Sequence, residues 1–157
     1  MKKINKKYID TAKENLEKDG DLMPVVIINK EVIFGLRDFR PDNKYDVMYS
    51  LGEEVNRKKI DIDNIIFICE SWMSIMSTKE FDKTKEYVQP SKDPNRREVI
   101  ILSYQDVKKN KEIVMLPFER KNKKIIWEES IGLPNADESH FNILQPFWQG
   151  YFNVQSK

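Results

Sequence analysis

From Asn64 to Met73 the chain is almost continuously apolar, with Ile65-Ile66-Phe67-Ile68-Cys69 followed by Glu70-Ser71-Trp72-Met73. Ile65 to Cys69 is the longest unbroken apolar run. It is strand length, far short of the roughly 18 residues a membrane helix needs. A strand without polar alternation has two hydrophobic faces, so the segment predicts a strand buried on both sides. The chain is long enough to provide that cover. Its 157 residues make one domain's worth of sequence, and such a chain buries roughly 68–70% of its unfolded surface without help from metal or disulfide. A single globular domain over residues 1–157 is expected.

The neighbouring patterns supply the rest of a fold. Ile4, Tyr8, Ile9, Ala12 and Leu16 recur about one helical turn apart, and Asp19-Gly20-Asp21 ends that amphipathic helix. Val25–Ile28 and Glu31–Phe34 flank Asn29-Lys30 and read as a tight hairpin. Arg40-Pro41-Asp42-Asn43 marks a loop. A second helix is expected from about Asp46 to Lys58, capped by Asp46, with Gly52 packed closely on a sheet. Strands follow at Asn64–Met73, Glu98–Asp106, Glu112–Glu119 and Lys124–Glu128, with turns at Lys109-Asn110 and Lys121-Asn122. Pro117 has no amide donor and places its strand at a sheet edge or near its own end. The expected class is α+β: a mainly antiparallel sheet of about five to six strands with two packed helices, in the order α-β-β-α-β-β-β-β.

Composition removes several function classes. One cysteine, Cys69, allows no intrachain disulfide and fits a reducing compartment. One histidine, His140, rules out an ordinary Cys/His zinc site within one chain. The formal net charge of +1 creates no global field toward nucleic acid or membrane. The basic start MKKINKKYIDTAKENL lacks the apolar core of a signal peptide, so a cytoplasmic location is expected, with no membrane contact. There is no Gly-rich phosphate loop, no G-x-S-x-G elbow and no helical histidine pair. Asp61-Ile62-Asp63 alone forms no coordination shell. No cofactor and no metal are expected.

Four constellations remain. Glu70 shares a strand face with Ile68 and Trp72, where a carboxylate must be paired or take up a proton, unless the strand simply emerges into solvent there. A connection of about 20 residues, from Thr78 to Arg97, exceeds the ordinary loop range. It carries Pro90-Ser91-Lys92-Asp93-Pro94-Asn95-Arg96-Arg97-Glu98 and returns two guanidinium groups toward Glu70. Arg96 and Arg97 then form either an anion-binding rim or an ion pair that pins the loop. The third constellation is the stretch from His140 to Phe152, with five aromatics in 13 residues. It reads as a surface for a protein partner or self-association, or as an irregular tail laying Phe147, Trp148 and Phe152 over the sheet. The last is basic: Lys2, Lys3, Lys6 and Lys7, and a second group at Lys108, Lys109, Lys111, Arg120, Lys121, Lys123 and Lys124 on turns at one end of the sheet. Few aromatics accompany that second group, so solvated lysines are expected rather than a nucleic-acid surface.

The combination of Glu70-Ser71-Trp72-Met73 with Pro90-Ser91 and Asp93-Pro94-Asn95-Arg96-Arg97-Glu98 resembles small proteins of prokaryotes and their phages. The resemblance covers about a quarter of the chain and implies no activity. Taken together, the sequence points to a non-enzymatic interaction or regulatory protein derived from a phage or mobile element. The alternative is a small enzyme or ligand-binding domain with an anion site built from Glu70, Trp72, Arg96 and Arg97.

Overall fold

The computed structural model describes residues 3–73, 97–134 and 143–155. Helix α1 (Lys6–Asp19) begins at Asn5, whose side chain accepts the Lys7 N–H at 3.0 Å. It ends at Gly20, which takes a left-handed φ of 81° and donates its N–H to Leu16 O at 2.8 Å. Strands β1 (Val25–Ile28) and β2 (Val32–Gly35) form the expected hairpin. Asn29 and Lys30 both adopt positive φ, 55° and 61°, which matches the twist of an antiparallel pair. Helix α2 (Lys44–Arg57) starts before Asp46, with Asn43 at the cap position. Asp46 lies in the first turn, where its charge complements the helix dipole rather than capping it.

Five strands follow: β3 (Asn64–Met73), β4 (Arg97–Asp106), β5 (Lys111–Lys121), β6 (Lys124–Trp127) and β7 (Ile131–Pro134). The sheet runs β2-β1-β3-β4-β5-β6, with β7 also on β5, and every pairing is antiparallel. This is the α+β class the sequence predicts. Beyond it, the structure adds strand β7 and a third helix, α3 (Leu144–Gln155), where an irregular tail is one of the expectations. Leu144, Phe147 and Tyr151 are buried at helical spacing. Pro146 falls in the first turn, where its missing N–H breaks no helical bond.

The two faces of the sheet carry separate cores. On one face α1 packs Ala12 and Leu16 against Ile27, Ile66, Ile68, Ile100 and Leu102. On the other, Met48 and Val55 of α2 and Leu144 and Phe147 of α3 cover Val26, Ile65, Phe67, Val99 and Ile101. The result is a helix layer on each side of an antiparallel sheet, and β3 is buried on both faces as its apolar run demands. The α1 layer is also tied at its start. The buried Glu112 carboxylate of β5 accepts the Lys3 N–H at 2.8 Å and the Ile4 N–H at 3.2 Å.

Several local expectations are corrected. Gly52 packs on α3 rather than on the sheet: a Cβ there would collide with the Phe147 carbonyl oxygen, and one on Gly150 with that of Tyr49. The strand with Pro117 is interior, between β4 and the β6/β7 edge. Proline is tolerated because Pro117 O, accepting the Glu128 N–H at 3.0 Å, faces the side where β6 gives way to β7. Its absent donor therefore costs β4 nothing. The β5–β6 turn is Asn122-Lys123, both at positive φ, one residue later than Lys121-Asn122. In the β4–β5 turn the left-handed residue is Lys109, and Asn110 instead donates its N–H and side chain to Asp106 at 2.9 and 3.0 Å.

Candidate functional site

The sheet has a step. Strand β3 pairs with β1 only over Ile65–Ile68, whereas β4 accompanies it to Met73. Among the described residues, no strand takes the place of β1 beside Cys69–Met73. The Asn29 N–H donates to Asn64 O at 2.9 Å, so by alternation the main-chain groups of Glu70 and Trp72 are directed toward that side. Leu22 and Pro24 close the step from one direction; Phe39, Arg40, Pro41 and Lys44, before and at the start of α2, close it from another. Between them lies a cavity of about 640 Å³, also lined by Phe67, Cys69, Glu70, Ser71, Trp72, Glu98 and Ile143. That volume is within the range of small-molecule sites.

Glu70 is partly buried and held from two sides. Its Oε1 accepts the Leu22 N–H, and its Oε2 lies 3.5 Å from Arg120 Nη2. Arg120 Nε donates to both oxygens of Glu98, at 3.1 and 3.0 Å, and its Nη1 donates to Gly20 O at 2.7 Å. The same guanidinium lies 5.4 Å from the Phe118 ring centroid. Burial, with Glu98 and Asp21 nearby, pushes the Glu70 carboxyl above its ordinary value, against the pull of the Leu22 N–H and Arg120.

Among the described residues, the guanidinium beside Glu70 is thus that of Arg120, not that of Arg97. Arg97 opposes Met73 in the ladder, while Glu70 opposes Ile100, so Arg97 projects from the other face. There it pairs with Glu119 at 3.3 Å and with Glu128. Arg96 lies outside the described residues, as do the long connection before it and His140. Trp72 stands on the cavity wall, 37% exposed. Arg120 was legible only as one basic turn residue. Alternation on β5 places it with Phe118 and on the Glu98 face, but only once the β4–β5 register is known.

Among the described residues, the remaining charges of the lining are Arg40 and Lys44. Arg40 is taken by Asp38 at 2.6 Å and Asp42 at 3.0 Å. Lys44 has no carboxylate partner among the described residues; its ammonium lies 5.2 Å from the Tyr45 ring centroid. Cys69 is buried, and burial pushes its thiol up to about 12, with Lys44 pulling it down and Glu70 pushing it up. A thiol held protonated is a poor nucleophile and a poor metal ligand. Among the described residues, no three His, Cys, Asp or Glu side chains are grouped to hold a metal ion.

The other sequence candidates are dispersed. The aromatics of α3 are largely committed: Phe147 is buried, and Trp148 Nε1 donates to Gln105 Oε1 at 2.8 Å. Phe152, 53% exposed, stacks on Trp148 with centroids 5.8 Å apart. The second basic group is split. The β4–β5 turn lies at the Asn64 end of β3 and the β5–β6 turn at the Met73 end, so these lysines form no continuous stripe at one end of the sheet.

A family model described as bacteriophage lambda protein ea47 matches residues 1–153. No curated protein and no solved structure matches the chain. No helix among the described residues is long and apolar enough to cross a membrane.

Proposed function

Since the chain belongs to the bacteriophage lambda protein ea47 family, we propose that it is a non-catalytic phage-type binding protein, with the cavity at the end of β3 as its ligand site. The observation that carries this reading is the step in the sheet. It leaves a cavity of about 640 Å³ around the open edge of β3, lined by Phe39, Phe67 and Cys69 on the α2 side of the sheet and by Glu70 and Glu98 on the α1 side. The state of Cys69, a buried thiol pushed up to about 12, supports binding over nucleophilic chemistry. Of the anion site anticipated from Glu70, Trp72, Arg96 and Arg97, Arg97 pairs with Glu119 and Glu128 on the face away from Glu70, and Arg96 lies outside the described residues.

The test is to fill the cavity. Ser71 lines it and is partly buried, so Ser71→Phe places a ring in the space at modest cost to the fold. A ligand at about 100 times its dissociation constant stabilises the folded state by about 2.7 kcal/mol, several degrees of melting temperature for a chain of this size. A fragment library should contain compounds that raise the melting temperature of the native chain and not that of Ser71→Phe. A library that shifts neither protein, or both equally, overturns the reading.

A further inference from the structure

We propose that the outer edge of β2 is a self-association surface, on which a second copy of this chain lays its own β2 antiparallel to the first. The register that fits sets Phe34 opposite Phe34 on a two-fold axis.

Strand β2 ends the sheet, and among the described residues it pairs with β1 alone. The Leu36 N–H donates to Pro24 O at 2.8 Å, so by alternation Phe34 and Val32 also turn their main-chain groups toward β1. Ile33 and Gly35 then turn theirs outward. Such an edge is a template for another strand unless proline or charge blunts it. Val32-Ile33-Phe34-Gly35 contains neither, whereas β6 at the opposite edge carries Lys124. Ile33 is 65% exposed, the highest value for a large hydrophobic side chain among the described residues.

With Phe34 on the axis, the outward groups of Ile33 and Gly35 face those of Gly35 and Ile33 in the second copy, and each donor meets an acceptor. The side chains fit the same register. Ile33 comes to lie across from a glycine, which leaves it room, and beside Met23, whose Cε is 2.7 Å from where a Gly35 Cβ would stand. Met23 is itself half-exposed, and Ile33 and Gly35 share the α1 face. Phe34 meets its counterpart at a non-hydrogen-bonded position, where opposed side chains approach most closely. Just beyond the strand, Glu31 of each copy falls across from Arg37 of the other, and both are exposed. Moving the register by two residues keeps the outward groups paired but loses this match. It sets Glu31 against Gly35 in one direction and Ile33 against Arg37 in the other.

The experiment is sedimentation velocity of the full chain at low salt over a wide range of concentration. So short a strand buries less than a standard interface, and the dimer should dissociate on the order of 10–100 μM. Ile33→Lys should abolish it. Glu31→Arg and Arg37→Glu each set like charges opposite one another at two symmetric points and should weaken it about tenfold or more. Mixed in equal amounts, those two variants are complementary at both points, and a heterodimer of native strength should return. All three positions are exposed, so the variants keep the fold. A native chain that stays monomeric to several times the expected dissociation constant overturns the proposal. So does a dimer that survives Ile33→Lys; its loss in Phe152→Ser would then place the interface on α3. A mixture that fails to recover the dimer also overturns it, because Glu31 and Arg37 then do not face one another.

Discussion

Arg120 shows how one side chain can join distant parts of a chain. It ties the end of α1, through Gly20 O, to Glu98 of β4 and Glu70 of β3. Glu70 is the least comfortable member of that group, since burial and two neighbouring carboxylates oppose its ionisation. Its folded-state pKa is raised, so the folded chain holds this proton to higher pH than the unfolded chain does. Stability from this group is therefore complete below the ordinary value of 4.5 and is lost as pH rises through the folded pKa. Glu70→Gln keeps an acceptor for the Leu22 N–H and removes the titration. Urea unfolding from about pH 4 to about pH 8 should show the native chain losing stability relative to Glu70→Gln across that window, then running parallel to it. A difference that stays flat with pH would mean that Glu70 titrates normally.

At the scale of elements, the contact between α2 and α3 decides the helix layer on one face. Gly52 and Gly150 bring the two backbones together reciprocally, each lying against a carbonyl of the other helix. In an isolated helix, replacing glycine by alanine gains about 1 kcal/mol. Here each added methyl group would meet backbone, which cannot swing aside as a flexible side chain can. Gly52→Ala and Gly150→Ala should each destabilise by about 1–3 kcal/mol in urea denaturation, the cost of overpacking a fitted contact. A gain in stability from either would show that the helices can separate freely. The same contact explains why α3 was hard to read. Pro146 and Gly150 look like loop residues in a sequence, yet one occupies the tolerant first turn and the other permits the crossing.

At the scale of the whole molecule, the sheet separates two cores that share no side chain among the described residues. Ile65 and Ile66 are neighbours in the chain and both fully buried, but Ile65 faces the α2–α3 layer and Ile66 the α1 layer. Ile65→Val and Ile66→Val should each cost about 0.5–1.5 kcal/mol. Their effects should add to within about 0.5 kcal/mol, with one transition and an unchanged denaturant slope. A biphasic curve in either variant would mean that one helix layer leaves the sheet before the other.

Patterns within short segments were enough for much of this architecture. The apolar run of β3, the period of α1, and the Asn29 and Asn122 turns are set by local sterics and by the alternation of faces. Glu70 and Trp72 could be singled out for the same reason, because a carboxylate and a large aromatic at the end of an apolar strand break its pattern. What the sequence could not decide was partnership across strands. A shift of one residue in register sends every side chain to the opposite face, and that parity put Arg97 with Glu119 and Glu128 and brought Arg120 to Glu70. The cavity is likewise tertiary. It exists because β1 ends beside Ile68 while β3 and β4 continue, a mismatch in strand length and pairing that no single segment contains.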